Sequence, residues 1–375
     1  MSNFVRIKKK VNRFNKSLSI DGDKSLSIRW ALLSSQSIKK CKSTNLLLSE
    51  DVYSTLNCLK KLGVKIKISK RFCEIVGLGL NGFKYKNNSI LDAGNSGTLG
   101  RLILGLLVHS KKKVKLKGDK SLSKRDFLRV IKPLERFGAK FNSNFGKLPI
   151  KIQGTNFSKP IKYYENKGSA QCKSAVIFGG MRANGTTKIK SKFSRDHTEI
   201  LCKYLKLPIY VTKRKNYEYI KVRKVKKIKK INYNIPSDIS SSAFFIILTA
   251  ITKNSELLIK NVNINPSRIG IITILKKMGV KISFQNKKNY KGEKIADIKI
   301  KSAKLIKPIN CPARLNSSAI DEFLIIWILA AKAKGISYFK NLEELNKKES
   351  PRLIWGSKIL NKMGVKNIVT KNKYH

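Results

Sequence analysis

Two short stretches carry residues able to hold an anion: Asp23-Lys24-Ser25-Leu26-Ser27-Ile28-Arg29 and Asn95-Ser96-Gly97-Thr98-Leu99-Gly100-Arg101. Each sets small polar residues ahead of a long apolar run, so backbone N–H groups at a helix start would face a bound phosphate or carboxylate. Each then adds an arginine, whose planar fork matches both anions, in a chain whose cations are mostly lysine. Similar clusters follow at Gly168-Ser169-Ala170-Gln171, Ser194-Arg195-Asp196-His197, Pro236-Ser237-Asp238 and Asn265-Pro266-Ser267-Arg268. Singly these are ordinary helix N-caps. Their recurrence points to several helix starts serving one ligand with several negative charges.

The elements that must position them are marked by an internal repeat. The phrase Leu-x-x-(Leu/Phe/Met)-Gly-(Val/Ala)-Lys recurs at Leu59–Lys65, Leu134–Lys140, Leu275–Lys281 and Leu360–Lys366, with a worn copy at Leu201–Lys206. It reads as a helix end, a glycine in the left-handed stop position and the start of an alternating strand. Copies lie roughly 67 to 85 residues apart, too long for a solenoid, so each repeat is expected to be a whole βαβ-type unit.

With 375 residues and 41% hydrophobic content, the chain has material for two cores. The net charge of +59 suggests nucleic acid or an acidic membrane surface. Lysine is spread through almost every segment beside abundant Asn and Ile, however, as compositional drift would leave it. No specific nucleic acid and no membrane is therefore expected as a partner. The one true basic cluster is Lys221–Lys230, read as an exposed strand or linker. Six cysteines lack metal-ligand spacing and read as reduced thiols, which with no secretory segment or membrane-length run gives a cytoplasmic expectation. A first strand is expected around Phe4–Ile7.

The ordered motifs resemble the 5-enolpyruvylshikimate-3-phosphate synthase family, from about Ile20 to Lys366. The residues that carry it are Gly22–Arg29, Leu91–Thr98, Arg101, Gly118–Arg125, Ser169–Ala175, Ser194–Glu199, Asp238–Ser241, Asn265-Pro266, Ile320–Glu322 and Lys348–Arg352. The resemblance implies an α/β, two-lobed enolpyruvyl transferase fold of repeated βαβαββ units, five of an expected six being recognisable. It implies a discontinuous lobe, 1–20 with 235–375, and a continuous lobe of three units, 21–234.

The implied reaction moves the enolpyruvyl group of phosphoenolpyruvate onto the 5-hydroxyl of shikimate 3-phosphate and releases phosphate, with no cofactor and no metal. By resemblance, Lys24 touches both substrates. Ser25, Arg29, Ser169, Gln171, Ser194, Asp321 and Lys348 hold shikimate 3-phosphate, and Asn95, Gly97, Arg125, Gln171 and Arg352 hold phosphoenolpyruvate. Asp321 takes the hydroxyl proton and Glu349 handles the methylene proton. His197 is read as a supporting residue, and Arg101 as either a site residue or a structural one. Lys348 and Arg352, four apart, would share one helix face with Glu349. A monomer is expected.

Three departures from the family pattern stand out: Pro351 in place of an acidic residue, Ser237 in place of glycine, and an end at His375 about one repeat early. By the resemblance, the last would expose apolar faces and leave out two phosphoenolpyruvate contacts, so a non-catalytic binding remnant is an alternative expectation. The sister transferase acting on UDP-N-acetylglucosamine is a weaker one, because its opening motif has Lys-Asn where this chain has Asp23-Lys24-Ser25.

Overall fold

A computed structural model describes residues 10–370 except Arg71 and Asn81. The strand expected at Phe4–Ile7 lies outside the described residues.

The chain begins with β1 (Asn15–Ser19), α1 (Lys24–Ser35), β2 (Lys40–Thr44), α2 (Glu50–Lys61), β3 (Lys65–Ile68) and β4 (Phe72–Val76). Next come β5 (Ser89–Asp92), α3 (Gly97–Leu107), β6 (Val114–Lys117), α4 (Lys120–Ser123), α5 (Leu128–Glu135), β7 (Lys140–Asn144) and β8 (Lys147–Gln153). A third set is β9 (Lys162–Glu165), α6 (Ala170–Gly180), β10 (Thr187–Lys192), α7 (His197–Tyr204), β11 (Ile209–Arg214), β12 (Tyr217–Val222) and β13 (Asn232–Asn234). Then follow α8 (Ile239–Ile251), β14 (Glu256–Asn263), α9 (Gly270–Lys277), β15 (Lys281–Tyr290) and β16 (Glu293–Lys301). Last are β17 (Asn310–Cys311), α10 (Asn316–Ala319), α11 (Phe323–Ala330), β18 (Tyr338–Phe339) and α12 (Arg352–Lys362).

Four of the sheets have four strands each and share one plan: an outer strand parallel to its neighbour, then an antiparallel pair. That is the strand content of a βαβαββ unit. Two units exchange their first strands. The strand β1 opens the sheet β1-β14-β16-β15, while β13 opens the sheet β13-β2-β4-β3. A fifth sheet holds only the parallel pair β17 and β18, and its antiparallel hairpin has no counterpart among the described residues.

The glycine stops take the left-handed conformation, with φ of 89° at Gly63, 104° at Gly138, 92° at Gly279 and 76° at Gly364. Strands follow the first three. After Gly364 the described residues form no strand, and no described strand lies paired with them, which corrects the expected fourth copy. Apolar residues alternate inward along the strands, as Leu148, Ile150 and Ile152 do in β8. Helix α3 is buried nearly all round and lies close to α6, since a Cβ on Gly105 would stand 2.3 Å from the Ala175 carbonyl oxygen.

The contacts divide the chain into two compact units, each with its own core. The larger comprises Asp21–Asp238 with Asn289–Lys294, and its core gathers residues such as Trp30, Leu102, Phe127 and Phe178. The other comprises the described parts of Met1–Ile20, Ile239–Lys288 and Ile295–His375, with a core that includes Ile246, Ile298 and Phe323. On α12 of this unit, Trp355, Ile359 and Met363 are exposed. All six cysteines are buried and unpaired, and no described helix is long and apolar enough to cross a membrane.

Candidate active site

In the larger unit, Lys24 opens α1. The expectation that the N–H groups of this turn face an anion needs correction, because carboxylates take two of them. Asp23 Oδ1 accepts from Leu26 N at 2.9 Å and Asp238 Oδ2 from Lys24 N at 3.2 Å. What the turn offers outward is the half-exposed Lys24 ammonium, 3.0 Å from Asp51. Arg29, a turn and a half along, is buried rather than open. Its Nε donates to Thr198 Oγ1 at 2.7 Å, its Nη2 to Ser174 Oγ at 3.4 Å and its Nη1 to the Ser25 carbonyl at 3.0 Å. The Ser174 and Thr198 hydroxyls are 2.7 Å apart, so α1, α6 and α7 meet in one polar cluster that fixes the guanidinium plane.

The second signature folds into a hydrogen-bonded cluster with two arginines. Ser96 caps α3 by accepting from Leu99 N at 3.3 Å. Asn95 donates to Asp119 Oδ2 at 2.8 Å and accepts a short bond from Arg125 Nη2. Asp119 Oδ1 in turn caps α4 through Leu122 N at 2.6 Å. Gln171, on the first turn of α6, is held at both ends of its amide: Arg101 Nη1 donates to Oε1 at 2.9 Å, and Nε2 donates to Thr98 Oγ1 at 3.0 Å. Arg101 also lies 4.7 Å over the Phe127 ring. Burial lowers its basicity, and neighbouring Arg125 and Arg129 add to the effect, although Cys172 and Asp126 act the other way. It therefore supports Gln171 from a position four residues into α3.

Gly97 sits under both guanidinium groups. A Cβ there would stand 2.8 Å from Arg101 Nη1 and 3.0 Å from Arg125 Nη1, the movable ends of two side chains. We expect Gly97→Ala to displace these groups without unfolding the protein, raising KM for phosphoenolpyruvate about tenfold. The KM for shikimate 3-phosphate should stay within about twofold. Steady-state kinetics with each substrate varied in turn checks this, and equal rises in both constants would contradict it.

Ser169 serves as the N-cap of α6, accepting from Cys172 N at 3.2 Å. Ser194, by contrast, has a buried Oγ with no hydrogen-bond partner among the described residues. His197 is buried with Nδ1 2.7 Å from Glu293. Ser237 needs no positive φ, so serine fits where the family has glycine.

In the other unit, Asp321 meets two cations, Lys348 Nζ and Arg352 Nη1, each 3.3 Å from Oδ1. Arg352 Nη2 reaches Glu349 Oε2 at 2.6 Å. These four residues come together as expected, but not on one helix. Pro351 is the N-cap of α12, so the helix begins at Arg352 and Lys348 lies outside it in an extended conformation. The loop brings Lys348 back to the carboxylate.

Asp119, Thr98, Ser174 and Thr198 were not singled out from the sequence as site supports. For Asp119 a signal exists, since Gly118-Asp119-Lys120-Ser121-Leu122-Ser123 repeats Gly22–Ser27, and both aspartates cap the turn they open. The hydroxyl residues gave no such signal. No His/Cys/Asp/Glu group suited to a metal ion exists among the described residues.

Repeated βαβαββ units with arginines and polar caps at their helix starts place this chain among the enolpyruvyl transferases. The fold is that of the enolpyruvyl transferase NikO from Streptomyces tendae, with TM-score 0.67 and 12% identity over 86% of this chain and 74% of that one. More specifically, the family EPSP synthase (3-phosphoshikimate 1-carboxyvinyltransferase) matches residues 8–375, and the chain belongs to it. Relatives called 3-phosphoshikimate 1-carboxyvinyltransferase include that of Ruthia magnifica subsp. Calyptogena magnifica, 42% identical over 99% of this chain and 84% of its own length. That of Thermoanaerobacter sp. strain X514 is 38% identical over 98% and 85%. The EPSP synthase structure from Acinetobacter baumannii has TM-score 0.83 and 35% identity, covering 94% of this chain and 79% of that chain.

Proposed function

We propose that this protein is a 3-phosphoshikimate 1-carboxyvinyltransferase, acting in aromatic amino acid biosynthesis. It transfers the enolpyruvyl group of phosphoenolpyruvate to the 5-hydroxyl of shikimate 3-phosphate and releases phosphate. The observation that carries the reading is the cluster in which Arg125 binds Asn95 above Gly97 while Arg101 and Thr98 clamp Gln171. Such a cluster sets cations and hydrogen-bond donors in fixed places for a small, multiply charged ligand.

In the addition step Glu349, in its acid form, gives a proton to C3 of phosphoenolpyruvate and the substrate oxygen bonds to C2, its own proton passing to the Asp321 carboxylate. In the elimination step a methyl proton leaves C3 with the help of Glu349, the double bond returns, and the bond from C2 to the phosphate oxygen breaks. Lys24, with Arg125 and Arg352, offsets the negative charge that gathers on the intermediate and the leaving phosphate. Ser25, Arg29, Ser169, Ser194 and Lys348 hold shikimate 3-phosphate, and Gln171 contacts both substrates.

A phosphate-release assay tests this. Release is expected only when both substrates are present, with one carboxyvinyl product formed per phosphate. Phosphate release that ignores shikimate 3-phosphate, or none from folded protein at saturating substrates, would rule the reading out.

A further inference from the structure

The sheet β11-β12-β10-β9 has one face against α6 and α7 and one face in solvent. Register decides what the solvent face carries. In one row Lys162, Lys188, Lys221 and Tyr210 lie side by side, and in the next Tyr164, Lys190, Tyr219 and Thr212. A third row adds Lys192, Tyr217 and Arg214. The acidic residues of these strands, Glu165 and Glu218, alternate to the buried face, so the exposed one has cations and tyrosines with no carboxylate.

The rings are accessible and held in place. Tyr164, Tyr219 and Tyr210 are 49%, 38% and 54% exposed, far more than packing aromatics. The Tyr164 and Tyr217 hydroxyls are 3.2 Å apart. Lys190 Nζ lies 4.6 to 6.0 Å from the centroids of Tyr217, Tyr164 and Tyr219.

The basic cluster 221–230 begins at the end of β12. It buries Val222, Val225 and Ile228 in the core of its unit and sends Arg223, Lys224, Lys226, Lys227, Lys229 and Lys230 outward. Its charge is therefore fixed to the folded body, and Arg223 lies 5.5 Å over the Tyr210 ring.

We propose that this face binds single-stranded nucleic acid without sequence preference, the lysines tracking the phosphate backbone and the tyrosines stacking on bases. Charge alone would suit any polyanion; the ladder of exposed rings is what selects unpaired bases, since each base presents a π-face and paired bases do not. The lysine-bearing strands of the sheet β5-β6-β8-β7 contain no tyrosine.

The test uses the full chain and fluorescein-labelled 15-nucleotide oligouridylate, with a duplex of the same length and anionic phosphatidylserine vesicles as comparisons. Anisotropy is expected to show the single strand bound about tenfold tighter than the duplex at equal salt. The double variant Tyr164→Leu/Tyr219→Leu, which keeps every charge, should weaken oligouridylate binding about tenfold. Lys188→Ser/Lys190→Ser/Lys221→Ser should flatten the log affinity against log salt slope by about 2. As a control for bulk charge, Lys140→Ser/Lys147→Ser/Lys151→Ser on the sheet β5-β6-β8-β7 should change affinity less than about twofold. Thermal unfolding confirms that each variant is folded. Equal binding of the duplex, preference for the vesicles, no effect of the tyrosine pair, or an equal loss in the control would each overturn the proposal.

Discussion

Asp321→Asn is expected to lower kcat about 10³-fold while shikimate 3-phosphate still binds within a few-fold of its normal affinity. The amide keeps the shape of the side chain but cannot accept the proton that leaves the attacking hydroxyl. Lys348 and Arg352, each 3.3 Å from Asp321 Oδ1, make the effect specific to proton transfer. They fix the direction of the carboxylate, so a neutral amide keeps a position but loses the charge they pair with. Steady-state rates combined with calorimetric titration separate the two quantities. A kcat within tenfold of the wild type would remove Asp321 from the reaction.

The second large effect concerns stability. Lys173 of α6 is fully buried between two carboxylates, Glu199 at 2.7 Å and Glu218 at 2.6 Å. Lys173→Met should cost about 3–5 kcal/mol, because it leaves buried carboxylates without their cation. Urea unfolding near pH 8 measures it. The triple variant Lys173→Met/Glu199→Gln/Glu218→Gln should recover most of the loss, since hydrogen-bonded neutral groups replace uncompensated charge. No recovery would mean that lost packing, not charge, was responsible.

The pH dependence follows from the directions of the shifts. Burial lowers the Lys173 pKa, yet Glu199 and Glu218 outweigh it and hold it above the ordinary 10.5. Its contribution is therefore complete below about 10.5 and is lost only as pH rises through the folded-state value. Burial pushes Glu218 above its ordinary 4.5 even with Lys173 beside it. Without the ammonium it moves further up, so the variant's carboxyl is better tolerated when protonated. The deficit of Lys173→Met should accordingly be smaller near pH 5 than near pH 8.

Local chemistry made much of this protein legible before any coordinates. A helix cap needs one side chain and two or three neighbouring N–H groups, and Asp23, Ser96 and Ser169 cap the helices that their motifs announced. The glycine stops needed only a position free of Cβ strain, and all four take it. From these, with the ordered motifs, the sequence determined the repeat, the family and the residues to examine. It also misled where a short-range rule met a competing one. Four-residue spacing put Lys348 and Arg352 on one helix, but Pro351 moved the helix start beyond Lys348.

Tertiary structure alone decided the rest, because those features depend on groups far apart along the chain. The exchange of β1 and β13 between units rests on pairings such as Phe14 N to Ser255 Oγ, 241 residues away. Among 81 lysines and arginines nothing local distinguished Lys173, whose ammonium is neutralised by residues of α7 and β12. Nor could composition tell that strand register would sort most of the tyrosines and lysines to one face of a sheet and both acids to the other. A cap is settled by its neighbours, whereas a buried charge or a surface ladder is settled only when distant strands and helices have packed.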